Sequence, residues 1–130
     1  MAGTDTSTDA PADMAVRHVR RFPCAPTSGA AARRFVRSVW PDADDEVVLA
    51  ASELAANAIE HAGTEFEVCI ELGAGSASVA VRDWAPRSWP RPRPGGELSE
   101  RGRGLGLVGS FSHRWGWTVA RESKVVWFQV

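Results

Sequence analysis

The sequence predicts an α+β fold: a two-layer sandwich in which helices cover one face of a mostly antiparallel mixed sheet. Three observations lead there. The apolar period switches from helical to alternating near Gly63. Two pairs of alternating segments are each joined by a short turn, which is how antiparallel strands are connected. The element order is β, α, α, β, β, long loop, α, β, β, which groups paired strands and helices as a sheet with helices on one face requires. At 130 residues and 44% apolar content the chain has room for one domain with a real core.

Residues 1–13 (MAGTDTSTDAPAD) hold too little apolar surface to offset the entropy of ordering, so a disordered tail is expected before a domain at 14–130. Met14 to Phe22 alternates, with Val16, His18, Arg20 and Phe22 on one side, and reads as a strand. Pro23 to Gly29 connects, and Thr27 or Ser28 is placed to cap the next element. Gly29 to Trp40 carries Ala32, Phe35, Val36 and Val39 at helical spacing, with Arg33, Arg34 and Arg37 facing away. Pro41 stops that helix. A second, longer one is expected over 41–62, capped by Asp42 or Asp44, with Asp45 and Glu46 at its positive end and Gly63 terminating it. Its core side carries Val47, Val48, Ala51, Leu54, Ala55, Ala58 and Ile59.

Glu65 to Leu72 alternates cleanly, Gly73 to Ser76 turns, and Ala77 to Asp83 returns, which gives a half-buried antiparallel pair. Residues 84–103 break the pattern. Pro86, Pro90, Pro92 and Pro94 exclude a helix or a central strand, and Arg87, Arg91, Arg93, Arg101 and Arg103 make the loop basic. A loop of this length in a compact domain is usually functional. Gly104 to His113 is helical in period, and Trp115 to Ala120 and Val125 to Val130 form a closing hairpin.

The formal net charge of −1 points to neither nucleic acid nor an anionic membrane. No stretch approaches the roughly 20 apolar residues of a membrane span, and the N-terminus lacks the pattern of a secretory signal. A cytoplasmic protein is expected. Cys24 and Cys69 fit no metal or redox spacing and read as reduced, buried thiols. Lys124 is the only lysine.

Glu53, Asn57 and His61 fall at i, i+4 and i+8 of the long helix, on the side away from the core. A carboxylate one turn before an amide suits general-base chemistry beside a Mg²⁺ ligand, and a solvated polar face is the plain alternative. His61 reads as an ordinary helix-end residue, favourable at the negative dipole end. Asp83, at a strand end, is placed either to accept a hydrogen bond from an exocyclic amine or to cap its own turn. Gly102-Arg103-Gly104-Leu105-Gly106-Leu107 closes the basic loop and opens a helix, where glycines let the backbone approach phosphate and a helix N-terminus offers free N–H groups. It fits neither the Rossmann fingerprint nor the Walker loop.

Taken in order, Glu-x-x-x-Asn on a helix, a strand ending in Asp, a long loop and Gly-x-Gly-x-Gly opening a helix resemble the GHKL (histidine-kinase-like) ATPase family, whose fold is the Bergerat α/β sandwich. Glu53 to Ala62 resembles its N box, Asp83 the start of its adenine box, and Gly102 to Leu107 its glycine-rich lid hinge. Within the family the chain is most similar, over about 15–130, to stand-alone anti-sigma-factor serine/threonine kinases of Gram-positive bacteria, especially actinobacteria. The resemblance implies ATP and Mg²⁺ as ligands, with Asn57 on the metal, Glu53 activating an acceptor hydroxyl and Asp83 reading adenine. Trp84 would stack on the base, and Arg101, Gly102, Arg103, Gly104, Leu105 and Gly106 would wrap the phosphates beneath a lid at 84–103. The implied partners are a sigma factor and an anti-anti-sigma (STAS-type) antagonist, with no nucleic acid and no membrane, and relatives of this type often form homodimers. One departure stands out: the usual Asp-x-Gly-x-Gly reads Asp83-Trp84-Ala85-Pro86-Arg87 here. That leaves a catalytically inactive binding module on the same fold as the second reading.

Overall fold

The computed structural model describes residues 15–88, 108–109 and 112–130. The expectations for the tail at 1–13, the loop beyond Ser88, and Arg101, Gly102, Arg103, Gly104, Leu105 and Gly106 lie outside the described residues. Strand β1 (Val16–Phe22) leads into helix α1 (Ser28–Val39) and helix α2 (Asp45–Asn57), which continues as a π-helical turn over Ala58–Ala62. Strands β2 (Phe66–Gly73) and β3 (Ser76–Asp83) follow, and β4 (Arg114–Val119) and β5 (Lys124–Gln129) close the chain. Of the expected helix at 104–113, residues 108–109 are helical, while Ser112 and His113, also described, are not.

The five strands lie in the order β1-β2-β3-β5-β4, and each described pairing is antiparallel. The alternation read from the sequence sets the faces. Phe66, Val68 and Ile70 of β2, Val79 and Val81 of β3, and Val126 and Phe128 of β5 are buried under the helices. Ala32, Phe35 and Val36 of α1 meet them, as do Val47, Val48, Ala51, Leu54 and Ala55 of α2. Phe22 stacks on Phe66 at 5.4 Å between ring centroids and meets Phe35 edge-on at 6.0 Å, which fastens the edge strand β1 to both layers. Among the described residues no helix is long and apolar enough to cross a membrane.

Local expectations are corrected at four points. The long helix starts at Asp45, not at residue 41, because Trp40 to Asp44 first form a turn with Ala43 N–H bonded to Trp40 O. Asp44 occupies the N-cap position, yet its side chain makes no capping bond, and neither does Thr27 at the start of α1. Ser28 instead donates to Pro23 O at 2.7 Å, turning the polar side chain to the incoming chain. The cysteines are not buried: Cys24 is exposed and Cys69 half-exposed, on the face of the sheet away from the helices.

The terminator of the long helix is as expected. Gly63 adopts φ 67°, and its N–H bonds to Ala58 O at 3.0 Å, closing the wider π-turn. A Cβ there would touch nothing within 4 Å, so only backbone strain opposes a side chain. Gly63→Ala is expected to lower stability by about 1 kcal/mol, read as a shift of the urea midpoint at unchanged slope.

Candidate functional site

The site grows from the two ends that the fold brings together. Burial of Val47, Val48, Ala51, Leu54, Ala55 and Ala58 turns the opposite flank of α2 outward. Glu53 and Asn57 lie on that flank one turn apart, each half-buried. The amide oxygen of Asn57 is of the kind that suits a hard cation, and the Glu53 carboxylate one turn earlier is of the kind that suits a general base. Among the described residues no three His, Cys, Asp or Glu side chains converge to hold a metal by themselves.

His61 lies in the π-turn, where the 3.6-residue spacing behind an i, i+8 alignment no longer applies. Its Nε2 is buried and has no hydrogen-bond partner among the described residues.

The π-turn lies against β3, the strand that ends in Asp83. A side-chain bond clasps the two: Trp84 N–H donates to Thr64 Oγ1 at 3.1 Å, so the chain leaving the helix meets the chain leaving the strand. Asp83 is 6% exposed. Its Oδ1 accepts the N–H of Ala85 at 2.9 Å, which is the turn-capping role, and also Nζ of Lys124 at 2.9 Å. Lys124 is 4% exposed and donates in addition to Ala85 O at 2.7 Å. Burying this pair is tolerable because each charge meets the other and a hydrogen-bonded backbone group.

Lys124 is the residue that the sequence reading missed at this site. The signal was the chain's lone lysine, which stands at the start of the apolar closing strand. It also required the register that sets Asp83 opposite Lys124, and this pairing of β3 with β5 is not local in sequence.

Trp84, expected to stack on a base, is half-buried and already has a neighbour. The Arg21 guanidinium lies over its ring at 4.6 Å, held by Glu65 and Glu67 at 3.2 and 3.0 Å. The opposite face of the sheet carries a cavity of about 210 Å³ lined by Arg17, Cys69, Ala80 and Arg82 among others, and none of the expected site residues lines it. There Arg17 Nε donates to Cys69 Sγ at 3.2 Å, and this bond leads the causes that raise the guanidinium above its ordinary value.

The Thr64–Trp84 clasp thus joins the chain leaving the long helix to the chain leaving the strand of Asp83. Residues 22–130 match the family model described as the histidine kinase-like ATPase domain. No curated protein matches the chain.

Proposed function

Since the chain belongs to the histidine kinase-like ATPase family, we propose that it is an ATP-dependent serine/threonine kinase of the anti-sigma-factor type, which phosphorylates an anti-anti-sigma antagonist and binds a sigma factor. The observation that supports this reading is the Thr64–Trp84 hydrogen bond, which ties the chain leaving the helix of Glu53 and Asn57 to the chain leaving the strand of Asp83. Bound ATP with Mg²⁺ supplies the phosphoryl group. Asn57 contributes its amide oxygen to the metal. Asp83 accepts from the amino group of adenine. Glu53 takes the proton of the acceptor hydroxyl as its oxygen bonds to the γ-phosphorus and ADP leaves.

Calorimetry with ATP, with and without Mg²⁺, tests the binding half. Asn57→Ala is expected to retain folding and lose the tightening that Mg²⁺ gives the wild type. An equal Mg²⁺ effect in both proteins would remove Asn57 from the metal site. If the wild type binds no adenine nucleotide at millimolar concentration, the ATP reading fails.

Two observations favour a second reading, a partner-binding module without phosphate transfer. The adenine-box glycine is absent from Asp83-Trp84-Ala85-Pro86-Arg87, and Oδ1 of Asp83 is committed to Lys124 and Ala85. Labelled ATP offered with candidate antagonists separates the two readings.

A further inference from the structure

We propose that Lys124 is a positioning residue that sets base preference at this site, an inference that rests on the nucleotide reading above. Asp83 and Lys124 face each other across β3 and β5, both nearly sealed from water. Nζ bridges Asp83 Oδ1 and Ala85 O, at 2.9 and 2.7 Å. Two consequences follow. The ammonium and the Ala85 N–H both take Oδ1, which fixes the carboxylate rotamer and assigns the base to Oδ2. The positive charge also meets the carboxylate's charge inside the fold, and an ionised carboxylate is an acceptor only. An acceptor takes the exocyclic amine of adenine and repels a keto oxygen at the same position.

Without the ammonium, the buried carboxyl group has no counter-charge among the described residues, and burial without one opposes an ionised carboxylate. A neutral acid carries an O–H donor and is able to meet a keto oxygen. Base discrimination therefore depends on a lysine that need not touch the base. Ala85 adds a second link: Lys124 also holds the backbone just after Asp83, where the family's adenine box carries glycine and this chain does not.

The test compares ATP with ITP, which replaces the amine by a keto oxygen, in equilibrium binding. The wild type should prefer ATP by roughly 10- to 100-fold, the worth of one hydrogen bond to a charged group. Lys124→Met should narrow that preference to within about threefold, with ITP binding improved relative to ATP. Lys124→Arg, which restores the charge, should recover most of the preference. A variant that merely loosens the fold weakens both nucleotides alike and leaves the ratio unchanged.

An unchanged ratio in a folded Lys124→Met protein overturns the proposal and leaves the ATP reading standing. Equal affinity of the wild type for ATP and ITP also overturns it, and needs no variant to fold. Failure of the wild type to bind either nucleotide overturns both.

Discussion

Asp83→Ala is expected to destabilise the domain by about 3–5 kcal/mol, because it removes the carboxylate that the buried Lys124 ammonium meets at 2.9 Å. The site admits little water: Asp83 and Lys124 are 6% and 4% exposed. Alanine also removes the acceptor for the Ala85 N–H, so a backbone donor loses its partner together with the charge. Urea unfolding reads the loss directly. A change below about 1 kcal/mol would mean that the pair behaves like an exposed one. The double variant Asp83→Ala with Lys124→Met should recover a large part of the loss, since replacing a buried pair by apolar groups is often near neutral. Asp83→Ala is therefore a poor probe of adenine recognition taken alone. Any loss of nucleotide affinity has to be measured at a temperature where the variant is shown to be folded.

Glu53→Ala is expected to leave folding and ATP binding intact while lowering phosphate transfer by about 10²- to 10⁴-fold, the usual contribution of a positioned general base. Glu53 is half-buried on the outward flank of α2, so its loss opens no core cavity. What transfer remains should come from positioning and charge neutralisation around the phosphates. Radiolabelled ATP, offered with candidate antagonists to wild type and variant side by side, gives the measurement. Equal transfer by both would take Glu53 out of the chemistry. Weaker ATP binding by the variant, with unchanged turnover of bound nucleotide, would assign it to ligand binding.

The sheet was legible because period-2 alternation survives translation into structure: Phe66, Val68 and Ile70 point to one side in the sequence and are buried together. The helix flank was legible from the 3.6-residue period instead, with Glu53 and Asn57 left outside a run of buried alanines and valines. The π-turn was not, since Ala58-Ile59-Glu60-His61-Ala62 is ordinary helix-forming sequence and the wider turn is settled by the packing around it. The idle caps at Thr27 and Asp44 show the limit of reading a side chain by type, because nearby groups compete for it, as Pro23 O does for Ser28. The Asp83–Lys124 pair spans 41 residues and depends on β3 lying beside β5 in one register. Local pattern gave Asp83 two roles, a turn cap and a reader of amines. The structure shows the cap and adds an ion pair that neither role implied.

The π-turn at Ala58–Ala62 has a consequence for how the length of this segment can vary. Such a turn holds one residue more than an α-helix needs over the same stretch, so it amounts to an insertion kept inside a helix. Remove one of these five residues and the segment is free to close as a plain α-helix over the same stretch, with the chain leaving it in nearly its present direction. Thr64 would then still be carried towards the Trp84 N–H. A single-residue deletion within α2, which has no such surplus residue, instead turns everything after it by about 100° and should be tolerated far less than one between Asn57 and Gly63.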